Sequence, residues 1–345
     1  MNCEILDTVY VRSNGDIPCD CDKGETVLLG EIDHRDPAWD IQQVLTNPKY
    51  EHIRKTLSVE VLPWGDVCAN CAWLRTHEPF SDNLSRKKIR KIQLEPSLAC
   101  NLECPCCSNK TQRQTRSKPF LMEIEAFDGL LTSLLRNSYT VGEIEYCGQG
   151  DPLMHPRFVE FVRTARARYP HARQRVITNG NFEYRKVIGD EFVDEIVVSC
   201  DGVFQQSYEQ YRIGGEVQQV IDFMKAIPKT NGGRKQTIVW KYILFEFNDS
   251  DEEILAAQRL AHSLEIDMLM FVFTHSRFKS MKYRSETVST LPIHFPNVTT
   301  NLTTQLLQLD LESGSSVSES KARSYVRELW QVLRGAKRRL QRVME

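Results

Sequence analysis

The 345-residue sequence lacks several features that would assign a protein to a class at once. It has no excess of one charge, because 44 Lys and Arg residues face 46 Asp and Glu residues, so composition gives no general case for nucleic-acid binding. No apolar run approaches the length of a membrane span. The first ten residues include Glu4 and Asp7 and lack the basic start and apolar core of a signal peptide. These absences, with 41% hydrophobic residues, predict a globular, cytoplasmic protein.

Cysteine, in contrast, is abundant, with eleven residues. In a chain without an export signal, so many cysteines favour a reducing compartment and metal ligation over disulfide bonds. Most of them fall in tight pairs or triplets, where neighbouring thiols bind a metal more readily than they bridge distant elements. The densest group is the stretch C-N-L-E-C-P-C-C at Cys100–Cys107.

Within that stretch, Cys100, Cys104 and Cys107 form a C-x3-C-x2-C set. Three thiolates this close together can share a soft metal centre, and they are one short of the four that usually saturate a [4Fe–4S] cluster. An iron without a protein ligand is a coordination site for another molecule. The spacing alone also fits a zinc knot with Cys106 as fourth ligand, or a group of free buried cysteines.

From residue 89 onward, apolar strands alternate with helical patterns. Strands are predicted at Lys91–Leu94, Ile144–Cys147, Arg175–Thr178, Glu195–Ser199, Ile238–Phe247 and Met268–Phe273. Helical patterns between them include Glu123–Leu135, Phe158–Tyr169 and Ile254–Leu264. The alternation predicts an α/β fold with a parallel sheet, and six units suit an open, partial (β/α)6 TIM-like barrel. In such barrels, chemistry lies at the carboxyl ends of the strands.

Chemically unusual loops follow the first four predicted strands. The first strand runs into the cysteine stretch, and the next three end in Cys147–Leu153, Thr178–Gly180 and Ser199–Gly202. If strand order follows chain order, these loops line one pocket at one rim. A zinc knot does not require this convergence, so the pattern favours an iron–sulfur cluster.

The cysteine spacing in this setting resembles the radical S-adenosylmethionine (radical SAM) enzymes. The resemblance implies that the amine and carboxylate of SAM bind the open iron of a [4Fe–4S] cluster. It also implies reductive cleavage of SAM to a 5′-deoxyadenosyl radical, which abstracts a hydrogen from the substrate. By the same resemblance, the residues expected to contact SAM are Gly148, Gly150, Asp151, Asn179, Ser199 and Arg212.

Each of these residues also has a simpler interpretation. The two glycines suit a tight strand-to-helix turn, and short polar residues at strand ends often bond to the backbone. Asp151 stands where the family more often has Glu. Arg212 lies in Y-R-I-G-G, which matches a Tyr-Arg-x-Gly-Gly motif of the family, although an arginine can also be a surface residue.

Candidates for passing a proton or a hydrogen atom are Asp201, Cys200 and Cys147, which follow predicted strands at the same rim. Nothing in the sequence singles out one of the three. Lys241 and His275, on or after the last two predicted strands, are candidate substrate contacts.

The N-terminal segment holds a C-x-C pair and a C-x2-C pair, formed by Cys19, Cys21, Cys68 and Cys71. Brought together, they make a four-thiolate site that spacing alone assigns equally to zinc or to iron. The segment resembles the SPASM or twitch auxiliary module of radical SAM enzymes, which implies a second [4Fe–4S] cluster. Cys3 is predicted to lie outside this site. A strand is predicted at Val27–Ile32, and a helical segment at Trp39–Leu57, broken at Asn47-Pro48.

Three regions follow from these patterns. Residues 1–80 form the auxiliary iron–sulfur module, residues 81–280 the partial barrel, and residues 281–345 an extension with a Ser-rich linker and an amphipathic helix. The helix has an apolar stripe from Ala322 to Val343 with basic residues beside it. It suits either a cap on the barrel or contact with a partner.

The sequence therefore predicts a radical SAM enzyme with oxidoreductase or lyase chemistry and an external one-electron donor of the flavodoxin or ferredoxin type. Its expected substrate is a small carbohydrate-like or nucleoside metabolite, modified by oxidation, decarboxylation, rearrangement or C–C coupling. The alternative enzyme modifies side chains of a peptide or protein. The alternative of another class is a non-catalytic, zinc-binding interaction protein.

Overall fold

We describe a computed structural model of the chain over residues 1–19, 27–69, 71–115, 120–283 and 291–301. Cys21, the Ser-rich linker and the predicted C-terminal helix lie outside the described residues. Within them, no helix is long and apolar enough to cross a bilayer.

The described strands and helices are numbered in chain order. The strands are β1 (Asn2–Cys3), β2 (Thr8–Val11), β3 (Asp16–Pro18), β4 (Leu28–Glu31), β5 (Leu74–Arg75), β6 (Lys88–Leu94), β7 (Thr140–Tyr146), β8 (Arg173–Thr178), β9 (Glu195–Ser199), β10 (Thr230–Asn231), β11 (Arg234–Lys235), β12 (Thr237–Leu244), β13 (Met268–Phe273) and β14 (Val298–Thr300). The α-helices are α1 (Ile41–Leu45), α2 (Pro48–Ser58), α3 (Asp66–Ala69), α4 (Asn109–Thr115), α5 (Ile124–Arg136), α6 (Phe158–Arg168), α7 (Tyr184–Val187), α8 (Gln205–Tyr208), α9 (Val217–Ala226) and α10 (Asp251–Ser263). Short 3-10 helices cover Glu4–Leu6 and Pro152–Met154.

The central sheet has eight strands in the order β14-β13-β12-β9-β8-β7-β6-β2. All neighbouring strands run parallel. The six predicted strands form its centre in chain order, so the α/β fold with a parallel sheet is confirmed. The predicted number of six strands is wrong, because β2 and β14 extend the two edges. Both are short, with four and three residues, and carry little periodicity to identify them.

Alternation along the strands separates two faces of the sheet. On one face, Tyr146 of β7 packs its ring edge-on against Phe158 of α6, with 5.3 Å between ring centroids, and its hydroxyl donates to Phe161 O at 3.2 Å. Tyr242 of β12 lies on the same side, with its ring 5.3 Å from that of Phe271. This face is therefore the hydrophobic interface between sheet and helices.

The opposite face, which we call the inner face, is polar and partly exposed. It carries an ionic network across four strands: Lys91 Nζ lies 3.1 Å from Glu145, Arg175 Nη1 3.0 Å from Glu145, and Arg175 Nε 2.6 Å from Glu195. Lys241 of β12 faces the same way, because Thr237 pairs with Glu195 and Lys241 follows four residues later. In a curved parallel sheet this face lines the space in which ligands are bound.

Local sequence explains where the helices begin. The Asn47 side chain accepts hydrogen bonds from the backbone N–H groups of Lys49 and Tyr50, both at 3.0 Å, and Pro48 occupies the first turn. The predicted break between α1 and α2 is thereby confirmed. Ser250 caps α10 in the same way, by accepting from Glu253 N at 3.1 Å.

The described residues among the first 80 pack onto the barrel. Strand β2 pairs with β6 in the central sheet, and Ile5, Val9 and Leu57 belong to the same hydrophobic cluster as the barrel core. The strands β3 and β4 form a separate antiparallel pair, as do β1 and β5. The predicted boundary at residue 80 stays a prediction, but the contacts on either side of it are continuous.

Candidate active site

The cysteine loop leaves the carboxyl end of β6 and is tied to the exit of β7. The Asn109 side chain donates to Leu98 O at 2.6 Å and to Gln149 O at 2.8 Å. Glu95 accepts from Gln149 N at 2.8 Å. These bonds hold the two loops side by side at the rim where the chemistry of parallel barrels is found.

Each of the three motif sulfurs accepts an N–H group from a different element. Asn109 N donates to Cys107 Sγ at 3.4 Å, Asn179 Nδ2 to Cys100 Sγ at 3.8 Å, and Arg212 Nη1 to Cys104 Sγ at 3.8 Å. Sulfur accepts hydrogen bonds well only as an electron-rich thiolate, and N–H···S contacts accompany thiolates that bind iron–sulfur clusters. The arrangement therefore suits three thiolate ligands.

The thiols also form one electrostatic group. Burial, together with the charges of Asp151, Cys104 and Cys107, raises the pKa of Cys100 to about 11. Burial also raises the pKa of Cys104, against the lowering effect of Arg212. Such thiols need a bound metal to lose their protons at neutral pH. Among the described residues, no three Cys, His, Asp or Glu side chains stand at metal-binding distances, so the fit rests on the type of donors and their N–H partners.

Gly148 and Gly150 lie where the loop after β7 is in direct contact with the cysteine loop and the end of β6, which leaves no room for a side chain. A Cβ at position 150 would overlap the backbone of Ser97–Ala99, and one at position 148 would overlap the Glu95 side chain. Asp151 N donates to Ala99 O at 2.9 Å in the same region. The glycines therefore allow the β7 loop to lie directly against the cysteine loop. Their predicted contact with SAM stays a prediction.

Asp151 joins the ends of two strands. It is buried, and its carboxylate accepts from Leu153 N at 3.0 Å, Thr178 Oγ1 at 3.0 Å and Asn179 N at 2.8 Å. Burial raises the pKa of this carboxyl to about 6, although the hydrogen bonds lower it. Its bonds fix Asn179, which in turn donates to Cys100. The predicted contact of Asp151 with SAM is not tested by this geometry.

Arg212 forms a buried ion pair beside the cysteine loop. Its Nε lies 2.7 Å from Asp201 Oδ2, and Asp201 Oδ1 accepts from Ile243 N at 2.7 Å. Burial opposes the charge of Arg212, but Asp201 and Cys104 hold its pKa above the ordinary value. Asp201, predicted as a donor of a proton or hydrogen atom, is fully buried and serves here as the counter-ion of Arg212.

Cys200 and Cys147, the other two residues predicted to pass a proton or a hydrogen atom, differ in solvent exposure. Cys200 is fully buried in the core, its thiol donates to Gly202 O at 3.2 Å, and burial raises its pKa strongly. It faces the core instead of the pocket. Cys147 is partly exposed and near enough to Arg175 to raise the pKa of that guanidinium. The catalytic roles of Cys200 and Cys147 stay predictions, and the greater solvent exposure of Cys147 favours that residue.

Sequence reasoning named Lys241 as a candidate substrate contact but did not identify its register partners on the inner face. Ser199, Lys241, Met270 and Thr299 are register partners across β9, β12, β13 and β14, and all four are partly exposed. Lys241 has no ion pair or side-chain hydrogen bond with any described residue, although the other inner-face cations are paired. The signal in the sequence was the polar interruption of an apolar strand, W-K-Y, which also fits an exposed edge.

A second group of cysteines lies in the N-terminal segment. Cys71 N donates to Cys68 O at 3.0 Å, and Trp64 N to Cys68 Sγ at 3.4 Å. Cys3 lies beside them: burial raises its pKa to about 12, and the charges of Cys71 and Cys68 contribute. Sequence reasoning placed Cys3 outside this group, because it is distant in sequence and belongs to no spacing motif.

Comparisons with known proteins agree with the motif. Residues 94–261, just under half of the chain, match the family model described as "Radical SAM superfamily". Over these residues the chain is similar to radical SAM enzymes, and the matched range includes Cys100, Cys104 and Cys107. No curated protein matches the sequence.

Several solved structures are similar to part of this chain. Streptococcus suis SuiB bound to S-adenosylmethionine has 14% identity and a TM-score of 0.46 over 73% of this chain and 58% of that chain. A radical SAM methyltransferase from Sphaerobacter thermophilus has 15% identity and a TM-score of 0.40 over 60% and 64%. BtrN in complex with AdoMet and 2-DOIA has 21% identity and a TM-score of 0.33 over 44% and 55%. This chain thus spans 58% of the SuiB chain in the first comparison.

Proposed function

We propose that this protein reductively cleaves S-adenosylmethionine and uses the resulting 5′-deoxyadenosyl radical to abstract a hydrogen from a small metabolite. The observation that carries the proposal is the loop of Cys100, Cys104 and Cys107, whose sulfurs each accept an N–H group at the rim of a parallel sheet. The radical SAM domain match over residues 94–261 supports it.

In this proposal, Cys100, Cys104 and Cys107 hold a [4Fe–4S] cluster that supplies the electron for SAM cleavage. Asn179 and Arg212 orient two of the sulfurs through their N–H groups. Asp151 positions Asn179 by accepting from its backbone N–H. The expected contacts to SAM come from Ser199, Asn179 and the backbone around Gly148 and Gly150. The electron comes from an external one-electron donor of the flavodoxin or ferredoxin type, which suits a cytoplasmic enzyme.

The inner face supports a substrate with an anionic group. Lys241 is a partly buried ammonium without a partner among the described residues, and such a charge is costly unless an anion compensates it. It is the register partner of Ser199, close to the expected SAM site. A carbohydrate-like or nucleoside metabolite with a phosphate or carboxylate group fits this position. We assign oxidoreductase or lyase chemistry to the reaction.

The test is an anaerobic assay of reconstituted protein with SAM and dithionite, read as 5′-deoxyadenosine by chromatography. Wild type is expected to release it, and the variant with Cys100, Cys104 and Cys107 all changed to Ala is expected to release none. Cys106→Ala is the matched control, because Cys106 lies in the same loop but outside the spacing. Equal release by the triple variant would refute the proposal, as would zinc in place of iron in the wild-type loop.

A test of the substrate class uses Lys241→Gln with Lys241→Arg as the charge-preserving control. Inorganic phosphate is the probe, and its effect on the rate of 5′-deoxyadenosine release is measured. We expect phosphate to change the rate of 5′-deoxyadenosine release in wild type and in Lys241→Arg but not in Lys241→Gln. The affinity for SAM is expected to be the same in all three proteins. A loss of SAM affinity in Lys241→Gln would instead assign the lysine to the SAM carboxylate.

A further inference from the structure

Backbone pairing places Cys3 beside the C-x2-C turn. Strand β1 pairs antiparallel with β5, so that Cys3 is the register partner of Leu74. Glu4 N donates to Trp73 O at 3.2 Å and extends this pairing. Leu74 is three residues after Cys71, whose N–H donates to Cys68 O at 3.0 Å. The first strand of the chain therefore carries its thiol to the pair formed by Cys68 and Cys71.

Cys19 reaches the same region from another segment. It directly follows β3, and its N–H donates to Val27 O at 2.8 Å. Cys3, Cys19 and Trp64 pack as partly buried groups against the same hydrophobic cluster. Both Cys3 and Cys19 are near enough to the Tyr50 hydroxyl for their charges to act on it. Thiols from three separate segments thus lie in the region of Tyr50 and Trp64, although among the described residues no three of them stand at metal-binding distances.

Two buried donors in this region have no acceptor. The Tyr50 hydroxyl is completely buried and has no hydrogen-bond partner among the described residues, and the same holds for the buried Trp64 Nε1. An unsatisfied buried donor is unfavourable, so native structures seldom keep one without a ligand or water. Trp64 already donates through its backbone N–H to Cys68 Sγ at 3.4 Å. Sulfurs of metal-bound thiolates are acceptors of the kind that both side chains lack.

We propose that Cys3, together with Cys19, Cys68 and Cys71, ligates the N-terminal metal centre, and that Tyr50 and Trp64 donate hydrogen bonds to its sulfurs. The inference takes this centre as a second [4Fe–4S] cluster, as the resemblance of the N-terminal segment implies, and does not depend on the proposed cleavage of SAM. Four thiolates saturate such a cluster, so this centre has no open iron for SAM. It is stabilising for the N-terminal segment because it joins the first strand to the turn before β5.

The experiment counts metal in the full-length chain with the barrel cluster removed. In the background of Cys100, Cys104 and Cys107 changed to Ala, we compare Cys3→Ala with Cys21→Ala after anaerobic reconstitution. Iron, zinc and sulfide per chain are measured, and reduced samples are examined by electron paramagnetic resonance. Cys106→Ala in the same background is the control for loss of a cysteine that ligates nothing.

We expect about four iron atoms per chain in the background and in Cys21→Ala, and loss of most of this iron in Cys3→Ala. Retention of the iron in Cys3→Ala, or its loss in Cys21→Ala, would overturn the assignment. If Cys3→Ala does not fold, Cys3→Ser decides: an oxygen ligand changes the resonance of the reduced cluster, and an unchanged spectrum contradicts ligation. No SAM is added, so the result is independent of whether wild type releases 5′-deoxyadenosine.

Discussion

The two groups of cysteines in this chain have unlike surroundings. In the barrel loop, the sulfurs accept N–H groups from Asn109, Asn179 and Arg212, and two cysteines of the loop are exposed. In the N-terminal segment, the thiols lie against Tyr50 and Trp64, whose buried side-chain donors have no partner. The difference shows how the surroundings of each group control the access of a further ligand to its sulfurs. In the proposed assignment, the site that admits a second ligand keeps an assembled polar frame at the surface, whereas the site closed by four thiolates lies among aromatic side chains.

The largest expected difference is in thiol reactivity of the metal-free protein. Cys3 is partly buried and its pKa is raised to about 12, whereas the ordinary value is 9.0. At pH 8 its thiolate fraction is therefore about a thousandfold below that of an ordinary thiol, and thiolates are the species that alkylate. We expect iodoacetamide to modify exposed Cys106 and Cys107 far faster than Cys3, as read by mass spectrometry. Comparable alkylation rates for Cys3 and for Cys106 and Cys107 would contradict the difference in burial between the two groups.

The ion pair between Arg212 and Asp201, beside the barrel loop, can be tested by removing the carboxylate alone. Asp201→Ala leaves the buried Arg212 charge without a partner, which is expected to cost about 3–5 kcal/mol in the free energy of unfolding. Asp128→Ala is a matched control, because Asp128 pairs with Arg168 at 2.8 Å in a more exposed setting, where about 0–1 kcal/mol is expected from the pair. Urea titration measures both. Equal losses would mean that the Asp201 pair is no more than a surface bridge.

The contact between the two rim loops can be tested with the glycines. In Gly150→Ala the added Cβ meets backbone atoms of Ser97–Ala99, so the cysteine loop must move, whereas in Gly148→Ala it meets only the Glu95 side chain. Overpacking of this kind costs about 1–3 kcal/mol, with the larger cost for Gly150→Ala. We expect Gly150→Ala to lose iron from the barrel loop while iron in the N-terminal segment stays. Normal iron in both sites would show that the loop adapts.

The pH dependence of stability tests Asp151. Its folded-state pKa is raised to about 6 from 3.8, so the folded protein binds this proton more tightly than the unfolded chain. The stabilising contribution is complete below pH 3.8 and is lost as the pH rises through about 6. We expect the melting temperature of wild type to fall between pH 5 and pH 7.5 relative to Asp151→Asn, which cannot titrate. Parallel pH profiles of the two proteins would contradict the raised pKa.

The smallest expected effect concerns Tyr50. In the metal-free protein its hydroxyl has no acceptor among the described residues, so Tyr50→Phe is expected to change the free energy of unfolding by less than about 1 kcal/mol. In the metal-loaded protein the same change removes a donor to sulfur and is expected to lower the reduction potential of the N-terminal cluster slightly. A large loss of stability without metal would show that the hydroxyl has another partner.

Local patterns predicted most of the barrel. The strands from Lys91 to Phe273 have apolar or alternating residues between clear turns, and the break at Asn47-Pro48 has a local cause, so both were confirmed. Strands β2 and β14 were missed because two short segments became strands only through neighbours distant in sequence. The same reason explains Cys3, whose place depends on pairing with β5.

The sequence predicted which residues form the candidate site better than it predicted the contacts that they make. The spacing of Cys100, Cys104 and Cys107 identified the loop, and the family match covers it. The partners of Asp151, Arg212 and Asp201 could not be predicted, because a carboxylate or guanidinium at a strand end can face either a ligand or a neighbouring strand. Those contacts depend on side-chain orientation across three loops, which no single stretch of sequence encodes.

The parallel pairing of β2 with β6 has a consequence for the order of assembly. The hydrogen bond from Ser13 N to Glu95 spans 82 positions, and most of the N-terminal segment lies between them. On the ribosome, β2 emerges long before β6, beside which it must lie, so its edge is unprotected in the interval. Closing so long a loop carries an entropic cost that local helices do not have. The beginning of the chain therefore becomes ordered late, on a barrel whose first strand is already present.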